Sequence, residues 1–296
     1  MLKGIAAGVA AGALWGLVFV APHMTPRLSP VDLTAGRFAS FGAMAAMAML
    51  LTLRTRKLPD LRQAFAALGM SVLGFSGYYL VLVLAIADAG TELPTLIIGT
   101  IPIWMMLLGK PLGLKWATLL PGLVLTAAGL VLMTLANGGA TKTSVPHFWR
   151  GIAYALLAMA SWTAFGLMNA SWLKRHPEVN ATDWANWLGI ATGLGALLLW
   201  LTAGSELKVL ASLDRQAWLA TVCIATGVGS AWVATILWNV ASQRLSASLC
   251  GQLIVSETIF ALVYSYAWDA QWPSVLQLTA CVLFLFGILA SIKAHQ

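Results

Sequence analysis

The sequence predicts an all-α membrane protein with ten transmembrane helices arranged as two inverted five-helix repeats. Three observations lead to this prediction: few charged residues, ten apolar runs of membrane-spanning length, and a similarity between the two halves. Of 296 residues, 60% are hydrophobic and 9% are charged, against roughly 25% charged in soluble domains. So few charges cannot cover the surface of a soluble chain of this length. A cytoplasmic enzyme, a secreted domain and a disordered protein are therefore excluded.

The apolar runs define the helices in order. A hydrocarbon core of roughly 30 Å needs about 20 helical residues, and continuous rather than alternating runs favour helices over barrel strands. Pro102 falls inside the fourth run, where we expect a kink and freed carbonyls near Gly99 and Thr100 that face a ligand. The predicted spans are 2–21, 32–53, 63–86, 92–109, 115–136, 148–172, 183–203, 217–240, 246–266 and 272–292.

The basic residues between the spans predict the orientation. Arg37 lies inside the second span and is not counted. The side with more Lys and Arg faces the cytoplasm, so a bacterial inner-membrane protein with both termini cytoplasmic is predicted. One side carries Lys3, Arg54, Arg56, Lys57, Arg62, Lys110, Lys115, Lys174, Arg175, Arg244 and Lys293, and the other carries Arg27, Lys142, Arg150, Lys208 and Arg215.

An internal repeat divides the chain. The segment from Lys3 to Trp15 aligns with the segment from Arg150 to Trp162, matching Gly, Ile, Ala and Trp at one offset. Pro102 and Trp116 have the same spacing as Thr258 and Trp272. We therefore predict repeats at 1–139 and 140–296 without a soluble domain. An odd number of spans in each repeat inverts the second copy, an architecture that recurs in secondary transporters with a central site.

These features together resemble the drug/metabolite transporter superfamily of EamA-like ten-span exporters. The resemblance rests on two five-span halves, on Trp15-Gly16, on Ser29-Pro30 followed by Arg37, and on Pro102. Within the superfamily the chain is most similar to bacterial YddG-type exporters of aromatic amino acids. It departs from the common pattern where Thr258, rather than proline, follows Glu257. The resemblance implies that helices one, three, four, six, eight and nine line a central cavity.

Glu257 is the acidic residue deepest inside a predicted span. A charge there is costly unless it faces a cavity or a partner, so Glu257 is a functional candidate. Three roles stay open: binding a substrate ammonium group, carrying a proton, or making a structural polar contact. Gln252 and Ser256 form a polar pair at helical spacing on the same helix, which makes the ninth helix a predicted cavity wall.

Arg37 lies near one end of the second span. We expect it to extend its side chain to the outer headgroups or to serve a structural role. A bidentate bond to a substrate carboxylate would be strong, but the predicted depth of Arg37 does not favour that contact.

Aromatic residues are the second group of site candidates. Trp15, Trp104 and Trp162 lie deep in their spans, as do Tyr78 and Tyr79, and Trp15 and Trp162 occupy equivalent repeat positions. Their rings could stack on a planar substrate, although helix packing explains each ring equally well. Tryptophans near span ends are predicted to form an interfacial belt; they are Trp116, Trp149, Trp172, Trp184, Trp187, Trp200, Trp218, Trp268 and Trp272.

Glycines recur every fourth residue along the first helix. Gly4, Gly8, Gly12 and Gly16 form one stripe, which predicts close approach of a neighbouring helix and, together with Pro102, a role in gating.

Alternative chemistries have weaker support. Gly74-Phe-Ser76-Gly77 matches a short motif of intramembrane serine proteases, but the four histidines lie outside the spans, so the required base is missing. We expect no enzymatic activity, no cofactor, no metal site and no nucleic-acid partner. The three cysteines, Cys223, Cys250 and Cys281, fall at unrelated spacings in apolar runs.

The predicted function is export of amino acids, aromatic ones included, by alternating access across the inner membrane. Aromatic rings would hold the side chain, while Thr100, Asn239, Gln252, Ser256 and Glu257 would meet the zwitterion. Export of drugs, cationic dyes or nucleoside-like metabolites is the alternative. The lipid bilayer and the substrate are the expected partners, proton coupling is left open, and one copy of the chain is expected to suffice.

Overall fold

The computed structural model describes residues 1–52, 58–90, 92–136, 147–269 and 272–296, and of residues 92 and 269 the backbone alone. All regular structure in these ranges is helical. The predicted repeat boundary at 139 and 140, and the basic residues Arg54, Arg56, Lys57 and Lys142, lie outside the described residues.

Ten apolar helices follow one another, close to the predicted spans. Nine of them, counted over the described ranges, are long and apolar enough to cross a bilayer, and the fourth is shorter. The chain therefore has the fold of a multi-span membrane protein. The helices are α1 Leu2–Met24, α2 Pro30–Thr52, α3 Leu61–Ala89, α4 Glu92–Leu108, α5 Trp116–Ala136, α6 Phe148–Arg175, α7 Ala181–Ala203, α8 Gln216–Arg244, α9 Ala247–Asp269 and α10 Val275–Ala294, with a short helix Leu207–Ser212 before α8.

Polar caps explain several helix ends. The Asp60 side chain accepts a hydrogen bond from the Gln63 backbone N–H, and the Gln63 side chain accepts one from the Asp60 backbone N–H, so α3 begins with a capping box. Ser274 and Gln277 form the same arrangement at α10. This cap makes α10 begin at Val275, three residues after the predicted start of that span.

Three helices are interrupted. In α3 the regular helix ends at Gly74 and restarts at Ser76, and in α4 it ends at Gly99 and restarts at Ile101. The break in α4 is the one expected from Pro102, which cannot donate a backbone hydrogen bond. In α8 residues Thr226–Val233 form a π-helix. By contrast, α9 runs without interruption past Thr258, which retains the N–H that proline lacks.

The helices of the first half pack against those of the second. α2 crosses α7, α5 packs along α10, α1 packs against α8 and α9, and α6 packs against α3 and α4. At the first crossing, a Cβ built on Gly42 would lie 2.7 Å from the Cα of Gly193. Only glycine allows backbones to approach so closely.

The glycine stripe of α1 faces α8 and α9. A Cβ on Gly8 would lie 2.6 Å from Leu253 Cδ1, and one on Gly16 would lie 2.9 Å from the Ala261 backbone nitrogen. A Cβ on Gly12 would collide with Ser256 Oγ, and one on Gly4 would lie 2.9 Å from Leu245. The stripe therefore lets α1 lie directly against the backbone of α9.

The two ends of the bundle differ. We call the end where α1 begins and α10 ends the terminal end, and the other the far end. In α4 the segment Ile101–Leu108, at the terminal end, packs against α9, whereas Glu92–Gly99 packs against α6. Ser248 N donates to Gly109 O at 3.2 Å at the terminal end. Helices α4 and α9 are thus joined more closely at the terminal end than at the far end.

Polar contacts at the far end connect residues of the first 136 positions with residues after 146. Arg150 donates two hydrogen bonds to the Asp88 carboxylate, at 2.6 and 2.9 Å. Arg27 pairs with Asp214. The Asp32 carboxylate accepts from Ser205 N at 2.9 Å and from Ser205 Oγ at 2.6 Å.

Candidate functional site

Three tryptophans from three helices meet in the bundle. The rings of Trp15 in α1 and Trp162 in α6 lie edge to face with centroids 6.2 Å apart. Trp238 in α8 contacts both, at 5.2 and 6.2 Å. We call these residues the tryptophan triad. Trp238 is 1% exposed, and its Nε1 has no hydrogen-bond partner in the described part of the chain, whereas Trp15 and Trp162 are partly exposed.

Asn239 does not join the triad. Its Oδ1 accepts from Asn169 Nδ2 at 3.1 Å, and its Nδ2 donates to Ala181 O at 3.2 Å. Asn169 in turn accepts from Trp184 Nε1 at 2.6 Å. Adjacent helical residues point about 100° apart, so the central position falls to Trp238 and not to Asn239. The Asn239 side chain therefore joins α8 to α6 and to the start of α7, and the predicted contact of Asn239 with the substrate stays a prediction.

Gln252 is also bound elsewhere. It is fully buried, and its Oε1 accepts from Thr126 at 3.1 Å and from Ser291 at 3.2 Å. Since Thr126 belongs to α5 and Ser291 to α10, Gln252 ties α9 to these two helices. In this structure Gln252 serves the packing of these helices, and its predicted place in a cavity wall stays a prediction.

Ser256 lies in the contact between α1 and α9. Its hydroxyl donates to Leu253 O at 2.7 Å, and the side chain is 3% exposed, covered by Gly12. The hydroxyl therefore faces a neighbouring backbone instead of the predicted substrate.

Glu257, the next residue, has a different environment. Its backbone lies between Gly12 and Gly16 of α1, and its side chain is partly exposed. Arg37 from α2 and Tyr78 from α3 are close enough to interact electrostatically with its carboxylate. We call Arg37, Tyr78 and Glu257 the charged cluster. Three helices that are distant in sequence thus place one cation, one anion and one phenol within electrostatic range of one another.

Arg37 points into the bundle. Its guanidinium carbon lies 4.8 Å from the centroid of the Phe38 ring, and its Nε is buried without a hydrogen-bond partner among the described residues. The expectation that Arg37 extends to the outer headgroups is therefore wrong. The physical reason is the attraction of Glu257 and of the aromatic face, both of which compete with the membrane surface for the cation.

The two predicted tyrosines point to different partners. Tyr79 donates from its hydroxyl to Pro30 O at 2.9 Å and packs its ring against Phe38, with centroids 6.2 Å apart. Tyr79 therefore holds α3 against the start of α2, while Tyr78 belongs to the charged cluster.

The polar groups at the break in α4 form hydrogen bonds within α4 itself. Thr100 Oγ1 donates to Ile97 O at 2.6 Å and accepts from Trp104 Nε1 at 3.2 Å. The Thr100 carbonyl accepts from Ile103 N at 2.9 Å, so it is not freed as predicted. Trp104 is 43% exposed and Pro102 is buried. Thr100 and Trp104 thus stabilise the break, and neither lies in the tryptophan triad.

Aromatic rings connect the charged cluster with the triad. Phe38, next to Arg37, contacts Phe75 at 6.1 Å between centroids, and Phe75 contacts Phe165 at 5.4 Å. Phe165 then contacts Trp162 at 5.9 Å. No pattern in the sequence marks these phenylalanines as site residues. Phe75 stands between Gly74 and Ser76 at the break in α3, so the short motif considered for a protease marks this break.

The predicted interfacial belt is partly wrong. Trp116, Trp149 and Trp272 are exposed as expected. Trp172 and Trp184, however, stack with centroids 3.7 Å apart, and Trp187 is also buried. The bond from Trp184 to Asn169 explains the inward position, because a buried indole N–H needs an acceptor.

A separate cavity of about 500 Å³ lies near the far end. It is lined by residues of α2, α7, α8 and the short helix, including Asp32, Trp200, Leu210 and Cys223. The walls are mainly apolar, and the Asp32 carboxylate is already bound by Ser29 and Ser205. The cavity contains none of the predicted site residues. In the described ranges no group of three His, Cys, Asp or Glu residues is placed to hold a metal ion.

Comparisons with known proteins agree with this architecture. No protein-family model matches the chain. The chain is 29% identical to "Inner membrane protein YtfF" from Escherichia coli (strain K12), over 99% of this chain and 96% of that protein. One crystal structure superposes with a TM-score of 0.80 and 19% identity, over 100% of this chain and 98% of that chain. The first similarity is to an inner membrane protein, and the second shows a shared fold.

Proposed function

We propose that the protein is a transporter of the drug/metabolite type that exports amino acids, aromatic ones included, across the inner membrane by alternating access. The observation that carries the proposal is the charged cluster. Arg37 and Glu257 lie deep in an apolar bundle, within electrostatic range but without an ion pair in the described part of the chain. Keeping charges there is costly, which favours a functional role for both.

The aromatic residues support an amino-acid substrate with a ring. The tryptophan triad belongs to α1, α6 and α8, and α1 also packs its glycines around the Glu257 backbone. Rings next to opposite charges provide the apolar and polar contacts that an aromatic zwitterion requires. Organic cations are the second candidate class, because Glu257 beside aromatic rings would suit them as well.

The packing supports two inverted repeats. In the proposed repeats, helices α1 to α5 correspond to α6 to α10 in the same order. The contact of α1 with α9 then corresponds to that of α6 with α4, and the contact of α1 with α8 corresponds to that of α6 with α3. The pairs α2 with α7 and α5 with α10 each correspond to themselves. The interruptions in α3 and α8 also fall in equivalent helices. Transporters with inverted repeats bind substrate at the repeat interface.

Contacts of Ser76 do not favour the protease alternative. Its Oγ lies 3.5 Å from Ser71 O, and its side chain lies against Gly195 of α7. A nucleophilic serine requires a base within hydrogen-bond distance. Ser76 instead serves the packing of α3 on α7.

The test is flux in liposomes that contain the purified protein. Labelled Phe, Tyr and Trp should accumulate, and Glu257→Gln should abolish or strongly reduce their flux while leaving the protein folded. Glu178→Gln, which changes an exposed residue, is the matched control and should retain full activity. Flux of a cationic dye or a nucleoside without flux of any amino acid would overturn the substrate assignment. Full activity of Glu257→Gln would remove Glu257 from the mechanism.

A further inference from the structure

We propose that Arg37 binds the carboxylate of the substrate, opposite Glu257, which binds the ammonium group, so that the site selects zwitterions over amines. This inference rests on the proposed function and assigns the substrate chemistry of the same site. It follows from four properties of Arg37: its position, its unused hydrogen-bond donor, its neighbours and its relation to Glu257.

The position of Arg37 gives access to the bundle interior. Arg37 belongs to α2, whose Gly36 and Gly42 face α8 and α7, and its side chain packs over Phe38 at 4.8 Å. Phe38 begins the line of rings that passes through Phe75 to the tryptophan triad. A carboxylate at Arg37 would therefore be attached to a side chain that lies along aromatic surfaces.

The Nε of Arg37 is a buried donor without an acceptor among the described residues. Leaving a charged donor unsatisfied in a buried site is unfavourable, and a guanidinium can bind a carboxylate in a planar, bidentate geometry. A ligand carboxylate would supply the missing acceptor.

The neighbours of Arg37 leave its charge without a direct counterion. The titratable groups within electrostatic range of Arg37 are Tyr78 and Tyr79 from α3, Cys223 from α8 and Glu257 from α9. Tyr79 already donates its hydroxyl to Pro30 O. Glu257 is therefore the one carboxylate in this set, and it does not form an ion pair with Arg37 in the described part of the chain.

The two unpaired charges define the ligand. Arg37 and Glu257 are within electrostatic range of each other but form no ion pair in the described part of the chain. A zwitterionic amino acid bound between them would present its carboxylate to Arg37 and its ammonium group to Glu257. Both buried charges would then be paired, which offsets the cost of desolvating them. An amine without a carboxylate would pair Glu257 alone.

The experiment compares equilibrium binding of tryptophan and tryptamine by the purified, full-length protein. The wild type should bind tryptophan at least about tenfold more tightly than tryptamine or tryptophanamide, a difference typical of one charge-assisted hydrogen bond. Arg37→Gln should lower the affinity for tryptophan by about tenfold or more and leave tryptamine binding unchanged. Arg37→Lys should show an intermediate loss. Glu257→Gln should weaken both ligands.

Controls separate this inference from folding and from the proposed function. The ratio of the two affinities is measured within one preparation, so it does not depend on the folded fraction. Arg62→Gln, which changes an exposed arginine of α3, should keep the wild-type ratio. Equal binding of tryptophan and tryptamine by the wild type, or an unchanged ratio in Arg37→Gln, would overturn the inference even if tryptophan is transported. Failure of the wild type to bind or transport any amino acid would overturn the proposed function as well.

Discussion

Trp15 and Trp162 are in direct edge-to-face contact, with ring centroids 6.2 Å apart, although they belong to the first and the sixth helix. They are also the residues that align when the two halves of the sequence are compared. In the proposed inverted repeat, the symmetry axis would pass near their contact, and a ligand beside the triad would contact residues of both halves. The third member, Trp238, breaks this local symmetry because it comes from α8 alone.

We predict that Trp238→Phe weakens ligand binding more than it destabilises the fold. Its buried Nε1 has no partner among the described residues, so removing this donor relieves an unfavourable group and offsets part of the lost packing. The thermal midpoint should change little, and the affinity for an amino-acid ligand should fall. Trp184→Phe is the control, since loss of its bond to Asn169 should lower the midpoint. A large loss of stability in Trp238→Phe would contradict the prediction.

Gly12→Ala should destabilise the contact between α1 and α9. The added methyl would collide with Ser256 Oγ, and overpacking of this kind typically costs 1–3 kcal/mol. The thermal midpoint in detergent and the flux in liposomes should both fall. Gly69→Ala, where nothing lies within 4 Å, should be neutral or stabilising because alanine favours the helix. Equal effects at the two positions would argue against tight packing of the stripe.

Gln252→Ala should lower stability without changing ligand specificity. The substitution removes the acceptor of Thr126 and Ser291, and hydrogen bonds between membrane helices contribute about 0.6–1.7 kcal/mol each. The midpoint should decrease, whereas the relative affinities for tryptophan and tryptamine should stay as in the wild type. A change in that ratio would return Gln252 to the binding site.

Reversal of one charge in the Asp88–Arg150 pair should be more harmful than reversal of both. Arg150→Asp places two carboxylates together, while the double variant Asp88→Arg with Arg150→Asp restores attraction. Because Arg150 is exposed, solvent screens the pair and its own contribution to stability is small. Unfolding measurements at low and high salt should show recovery in the double variant and weaker effects at high salt. Additive losses would show that the pair is not coupled.

Cysteines placed along α9 should report the difference between the two bundle ends. In a background without Cys223, Cys250 and Cys281, Tyr264→Cys lies in the far half of α9, where its side chain is partly exposed, and Ser248→Cys lies buried at the terminal end. A membrane-impermeant maleimide added outside the cell should label the first and spare the second, and tryptophan should slow the reaction. The opposite labelling pattern would contradict the orientation with cytoplasmic termini.

The number and order of the helices were predictable from hydropathy. A span must be apolar to lie in lipid, whichever helix it packs against. The helical faces were not predictable in the same way. A membrane helix is apolar on both its lipid side and its protein side, so the sequence contained little information on which way Gln252, Ser256 or Asn239 points. Gln252 and Asn239 form hydrogen bonds to neighbouring helices, whereas Ser256 donates to Leu253 O of its own helix.

The positions of the charged and aromatic side chains were also predicted with unequal success. Glu257 was chosen as a candidate from its depth alone, since a carboxylate there has few tolerable environments, and its role stays a prediction. Arg37 was misassigned because depth in sequence does not show whether a long side chain turns toward water or toward an opposite charge. Trp172, Trp184 and Trp187 were misassigned because a tryptophan near a span end can face either lipid or a buried acceptor such as Asn169.

The break at Thr100 gives α4 and α9 unequal bending stiffness. Helix α4 lacks a backbone hydrogen bond at Pro102, whereas α9 keeps an unbroken ladder through Thr258. A helix that lacks a backbone hydrogen bond bends at lower energetic cost. We therefore expect α4 to bend more easily than α9. In the proposed inverted repeat, α4 and α9 are equivalent helices, so α4 would bend where α9 stays straight. Opening of the proposed site to one side of the membrane would then differ in mechanism from its opening to the other side.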